Sequence, residues 1–294
     1  MPDGYRKQRG AVDEMKDNRR APLMRAKFAA LTVSVFLLLA ASSGCRQSSM
    51  NQQSDAVEIT VAAAANLSDA FTELGQKFTA RTGVRVVYSF GATAELAKQI
   101  ENGAPFDLFA AADTEHVERL NRQGLIADGT AALYARGRLM VWTPLGSRIR
   151  LNRIEDLRGA EVERIAIARP DVAPYGRAAV EALGALGLWK DIESKIIYGQ
   201  NVTQTKQYVA TGNADAALLP RSLLSEGEGQ SIEVDERLHQ PINQSLAIVK
   251  ASGKQEAASL FSQYILSPEG QSLLQRYGYE RTVTSDEQKK NSDQ

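Results

Sequence analysis

The chain of 294 residues carries 35 Lys and Arg against 35 Asp and Glu, with two histidines and one cysteine. A net charge of zero leaves no global field to draw in nucleic acid, and one cysteine excludes an internal disulfide or a Cys-type zinc site. His116 and His239 stand in no H-x-x-H or H-E-x-x-H spacing, and 43% hydrophobic with 24% charged residues is an ordinary globular composition, long enough for two domains.

The charge is uneven along the chain. Residues 1–45 hold eight basic and four acidic residues; subtracting these from 35 and 35 leaves 27 basic and 31 acidic residues from Arg46 onward, a net of minus four. Arg25 and Lys27 precede an apolar run over 28–41, then Ser42-Ser43-Gly44-Cys45. A positive stretch, a short apolar core and a small-residue exit define a secretory signal peptide over 1–45, too short in its apolar part to anchor as a spanning helix. Met24 would open a compact leader, so the true start is Met1 or Met24. Cys45 resembles the lipobox cysteine of bacterial lipoproteins, which becomes an acylated N-terminus; Ser42 departs from the Leu usual three places earlier. The alternative is an ordinary signal peptide that releases a soluble protein. Residues 46–56, rich in Ser, Gln and Asn, read as a flexible tether.

Strand and helix patterns then alternate. Strands are expected over 58–63, 84–90 and 106–111, with helices over 68–81, 94–102 and 114–123. Gly83, Gly103 and Gly124 close those helices. The alternation restarts with strands over 138–143 and 164–168, a short helical start at 154–157 and a helix over 175–186. Short strands at 195–198 and 216–219 flank a helix over 203–211. A strand over 245–250, helices over 254–266 and 268–277, and a polar tail over 282–294 end the chain. This order predicts an α/β fold with mainly parallel sheets covered on both faces.

Four strand-to-helix junctions carry the chemistry. They are Ala63–Asp69, Phe90–Glu95, Pro170–Gly176 and Tyr198–Thr203, each joining small residues to a polar residue suited to capping. A helix N-terminus offers unpaired N–H groups and the positive end of the macrodipole, so it holds an anion without a formal charge. Any one junction taken alone reads as an ordinary N-cap; four in two lobes facing one another would make an anion site.

The runs Ile59–Ala70, Val87–Thr93, Gln99–Asp113, Val172–Gly176 and Gln275–Gly278 resemble the periplasmic molybdate-binding proteins, in family order across roughly 57–280. The segment Gly103-Ala-Pro-Phe-Asp-Leu-Phe109 is the most specific of them. The resemblance implies a two-lobed type II periplasmic binding protein fold with a ligand cleft between the lobes. It assigns 57–136 to the first lobe, 137–238 to the second and 239–281 to a return into the first. It further implies molybdate and tungstate as ligands, an inner-membrane ABC permease with a cytoplasmic ATPase as partner, a periplasmic or cell-envelope location and a monomer. The implied ligand contacts are the backbone of Ala65, the backbone and side-chain amide of Asn66, the hydroxyl of Thr93, Tyr175 and the backbone N–H of Val202. Pro220 stands where family members often carry a Tyr that donates to the ligand, and the Tyr175 phenol is expected to replace it.

Molybdate near neutral pH is a fully deprotonated dianion that only accepts hydrogen bonds, so neutral donors suit it. Phosphate keeps a proton and would lack an acceptor. Sulfate has the same charge in a smaller tetrahedron. Glu95 is expected to point outward from its first helical turn. No nucleotide-binding or nucleophile-elbow motif occurs, so no catalytic residue, cofactor or direct metal ligand is expected. His116 is expected on a helix surface, His239 in a loop, and Trp142 and Trp189 in core packing. The expected role is a binding protein; the alternatives are a receptor for another oxyanion such as sulfate, or an enzyme on the same fold.

Overall fold

A computed structural model describes residues 57–281. The expected leader, Met24, Cys45, the tether over 46–56 and the tail over 282–294 lie outside the described residues.

In chain order the first part runs β1 (Glu58–Ala64), α1 (Ser68–Thr82), β2 (Arg85–Gly91), α2 (Thr93–Glu101), β3 (Leu108–Ala110), α3 (Glu115–Arg122) and β4 (Ala132–Gly137). Then come β5 (Leu139–Pro144), β6 (Ile165–Ala168), α4 (Pro174–Ala185), α5 (Trp189–Ile192), β7 (Ile196–Gly199), α6 (Val202–Ala210), β8 (Ala216–Pro220) and β9 (Gly229–Glu233). β10 (Ile242–Ile248), α7 (Gln255–Leu266) and α8 (Pro268–Arg276) follow.

Two five-stranded sheets result, ordered β2-β1-β3-β10-β4 and β7-β6-β8-β5-β9. In the first, β1 pairs parallel with β2 and β3, while β10 runs antiparallel between β3 and β4. In the second, β6 pairs parallel with β7 and β8, and β5 runs antiparallel between β8 and β9. The chain passes between sheets twice, through Arg138 from β4 to β5 and again between β9 and β10. This is the mixed α/β, two-lobed architecture with two crossings that the resemblance implies.

Both faces of each sheet are covered, which is why the strands read as nearly continuous apolar runs. Ile59, Val61 and Ala63 of β1 face one cluster with Phe71, Leu74 and Phe78 of α1, while Ala62 faces another with Leu96, Phe109 and Leu120. Phe71 and Phe78, spaced i,i+7 along α1, meet Phe261 of α7 at ring separations of 6.3 and 5.0 Å. Trp142 is buried in the second lobe and Trp189 packs half-buried against its core, as expected.

The structure departs from the sequence reading at several places. β4 and β9 were not expected, and β10 begins at Ile242 rather than near 245. His116 is not a surface residue: it is 8% exposed, with Nδ1 2.8 Å from the Asp113 carboxylate, which also accepts the His116 backbone N–H at 3.1 Å. Val117 and Leu120 turn that side of α3 into the core and carry the imidazole with them. Glu95 is exposed, and His239 sits half-buried in a loop.

Candidate functional site

Three of the four singled-out junctions begin their helices without a side-chain cap. The N-cap positions before Ala65–Leu67, α2 and α4 are Ala64, Ala92 and Ala173, none of which has a side-chain cap hydrogen bond. The expected polar caps are therefore absent there; the polar residue lies one or two places further on. Only α6 is capped, by Asn201 Oδ1 accepting from Gln204 N–H at 3.0 Å. Alanine is a poor N-cap because it leaves the first-turn N–H groups without an acceptor.

Those uncapped ends face one pocket. Its lining includes Ala64, Ala65, Asn66, Ala92, Thr93, Ala173, Tyr175, Asn201 and Val202, drawn close around a cavity of only about 10 Å³. All five residues singled out from the sequence, Ala65, Asn66, Thr93, Tyr175 and Val202, thus line the same space. Pro220 does not; it ends β8, buried opposite Leu139. No residue lining the pocket carries a formal charge. Contacts between the lobes close its rim: Ala94 N–H donates to Val172 O at 3.1 Å, and the Thr203 hydroxyl to Ala65 O at 3.4 Å. Arg177 reaches across to Glu115 at 2.9 Å and Asp113 at 3.3 Å.

The side chains are set by what they already bind. Thr93 Oγ1 accepts the Ala112 N–H at 3.1 Å, so its own proton is free. Tyr175 Oη accepts Gln244 Nε2–H at 3.1 Å, with the same consequence. Asn66 departs from expectation. Its Nδ2 donates to Gln244 Oε1 and to Tyr279 Oη, both at 2.9 Å, so the side-chain amide hydrogens are held by the protein. The backbone N–H of Asn66 stays in the uncapped first turn. Asn66 O in turn accepts from Tyr279 Oη at 2.7 Å and Ser222 Oγ at 2.8 Å.

These bonds form one buried network of Asn66, Tyr134, Tyr175, Ser222, Gln244 and Tyr279. Burial, reinforced by the neighbouring phenols, pushes Tyr134 and Tyr175 well above the ordinary tyrosine range, and burial also raises Tyr279. The phenols therefore stay neutral hydrogen-bond donors throughout physiological pH. Gln244, Tyr134, Tyr279 and Ser222 escaped the sequence reading. They lie on other strands or turns, 110 to 213 residues from their partners Tyr134 and Asn66, and no local pattern marks them.

A larger opening beside the pocket is lined by Asp113, Glu115, Glu181 and Arg177. Three carboxylates against one guanidinium make it unsuited to an anion. Among the described residues no group of His, Cys, Asp or Glu is arranged to hold a metal ion.

Two α/β lobes joined by two crossings, with a small pocket of backbone and hydroxyl donors between them, define a solute-binding receptor rather than a fold that merely resembles one. Residues 59–280 match the family model of the bacterial extracellular solute-binding proteins, and the chain belongs to that family. It is 31% identical to the molybdate-binding protein ModA of Rhodobacter capsulatus, over 87% of this chain and 96% of that one. It is likewise 31% identical to a candidate ABC transporter substrate-binding lipoprotein, YvgL of Bacillus subtilis, over 85% of this chain and 95% of that one. The solved periplasmic molybdate-binding protein of Azotobacter vinelandii superposes with a TM-score of 0.74 at 28% identity, over 76% of this chain and all of that one.

Proposed function

We propose that the chain binds molybdate, and tungstate with it, between its lobes and delivers the anion to an ABC permease driven by a cytoplasmic ATPase. The observation that carries this reading is the convergence of three uncapped helix N-termini and two hydroxyls that already accept a hydrogen bond, and so keep a proton to donate, on one small pocket without formal charge. A tetrahedral dianion supplies the acceptors those donors lack, and each charge-assisted bond is stronger than a neutral one. The description of both the Rhodobacter and the Azotobacter relative as molybdate-binding proteins supports the choice of molybdate among oxyanions.

In this reading Ala65, Asn66 and Val202 donate backbone N–H groups, and Thr93 and Tyr175 donate hydroxyls. Tyr175 takes over the role that Pro220 cannot fill. The first lobe comprises 57–136 with 239–281 and the second 137–238, so a hinge at the crossings closes donors from both sides onto the anion. The protein binds and releases its cargo unchanged, as a monomer, without catalysis or cofactor.

Cys45 carries the lipid that tethers the receptor to the cell envelope through the segment 46–56. The description of the Bacillus relative as a lipoprotein supports this. Palmitate label entering the wild-type chain but not Cys45→Ser tests it; an unlabelled wild type overturns it.

Isothermal titration with molybdate, tungstate, sulfate and phosphate tests the ligand. Tight molybdate and tungstate binding with weak sulfate and phosphate is the expected result. Absence of heat with every oxyanion overturns the reading, and tighter sulfate binding reassigns the ligand.

A further inference from the structure

Gln244 lies on β10 where the pairing with β4 shifts register, fully buried and away from the pocket lining. Its amide is held at both ends. Oε1 accepts from Asn66 Nδ2 at 2.9 Å and from Tyr134 Oη at 3.0 Å, while Nε2 donates to Tyr175 Oη at 3.1 Å.

The direction of this chain follows from its shortest bond. Tyr279 Oη donates to Asn66 O at 2.7 Å, and a backbone carbonyl can only accept. With its single proton spent there, Tyr279 Oη must accept from Asn66, which makes Nδ2 the atom facing it. The other Nδ2 hydrogen then meets a carbonyl oxygen on Gln244, and the far end of the Gln244 amide presents N–H to Tyr175. Tyr134, with one proton between Ala111 O at 2.9 Å and Gln244 Oε1, shares it. Gly137 leaves the room for this meeting: a Cβ there would stand 2.7 Å from Gln244 Nε2 and overlap the Tyr175 phenol.

We propose that Gln244 is a positioning residue that touches no ligand but turns the Tyr175 hydroxyl proton into the pocket, fixing that hydroxyl as a donor. This deepens the oxyanion reading above and rests on it. It also bears on specificity, because a hydroxyl held as a donor favours a fully deprotonated anion over one carrying a proton. With the amide reversed, Gln244 Oε1 would take the Tyr175 proton, and the pocket would lose that donor.

The test is a double-mutant cycle read by titration with sodium molybdate on the full mature chain: wild type, Gln244→Met, Tyr175→Phe and the pair. Gln244→Met is expected to weaken binding about tenfold when Tyr175 is present and less than about twofold when it is Phe, since an effect carried by Tyr175 vanishes with its hydroxyl. Equal losses in both backgrounds overturn the proposal and leave Gln244 a packing residue. Gln244→Glu keeps the shape and gives a second readout should Met disturb folding. Burial raises the pKa of such a carboxyl, so it donates to Tyr175 when neutral and takes the phenol proton when ionised. Its molybdate affinity is expected to fall at least about fivefold from about pH 6 to about pH 9 while wild type stays level. A level profile in the variant overturns the proposal. No heat with wild type would instead defeat the oxyanion reading itself, a distinct outcome.

Discussion

Gly137 ends a strand of the first sheet and Tyr175 lies at the start of a helix packed on the second, yet a side chain on the glycine would occupy the position of the tyrosine's phenolic oxygen. Gly137 ends β4, immediately before the crossing into β5, and Tyr175 lies in the first turn of α4. A glycine is needed here for close approach, because its backbone conformation is one that other residues also adopt. Gly137→Ala is therefore expected to cost roughly 1–3 kcal/mol of stability through overpacking. It should also displace the phenol and weaken molybdate binding by about tenfold or more. Thermal melts and titration of the same variant check both, and wild-type affinity would show that the phenol has no part in the site.

Thr93 and Tyr175 are set alike, each accepting an amide N–H and so keeping its proton for the pocket. A hydrogen bond to a charged group contributes roughly 1.5–3 kcal/mol, or about 10- to 100-fold in affinity. Thr93→Val should lose that amount and also leave the Ala112 N–H unpaired, lowering stability by about 1–3 kcal/mol. Thr93→Ser should restore both. Tyr175→Phe should lose affinity in the same range with little change in fold. A Thr93→Val variant that binds like wild type would remove Thr93 from the ligand shell.

How the fold follows from the sequence differs from element to element. β1 and α1 were legible because Ile59-Thr-Val61 alternates between buried faces and Phe71, Leu74 and Phe78 repeat at helical spacing. β4 was not, since Ala132–Gly137 holds two alanines and a glycine, and becomes a strand only by pairing with β10 more than a hundred residues later. β9, a polar stretch of Gly, Gln, Ser, Ile and Glu, is likewise drawn into place by β5. The pocket residues were legible as a resemblance at four junctions, but the network behind them was not. Asn66 reads locally as a cap, and its amide turns instead to Gln244 and Tyr279, far away in sequence.

The buried tyrosines make stability depend on alkaline pH. Burial holds the phenols of Tyr88, Tyr134, Tyr175 and Tyr279 above their ordinary range, so the unfolded chain loses those protons first as pH rises. Their contribution is fully present below about pH 10 and is lost as pH climbs beyond it toward the raised native values. Melting temperature should be level on this account up to about pH 9.5 and then fall steeply, each tyrosine adding to the slope. Native phenolate absorbance rising near pH 10, with these four tyrosines ionising in the folded protein, would contradict it.

The uncapped helix ends admit the sharpest separation of stability from function. Ala92 is buried at the N-cap of α2, and a cap there would satisfy a donor that now waits for the ligand. Ala92→Asp supplies a tethered carboxylate that can accept the first-turn N–H of Glu95 and interact favourably with the helix dipole. The ligand-free protein should gain about 0.5–2 kcal/mol, a rise in melting temperature of roughly 1–8 °C for a body of this size. The same carboxylate would occupy the anion's position and repel it, so molybdate affinity should fall about a hundredfold or more. Ala92→Asn, a cap without charge, should keep part of the stability and lose less affinity. Calorimetric melts and titrations of the two variants decide the matter. A destabilised Ala92→Asp that still binds molybdate normally would mean that the end of α2 is not part of the anion site.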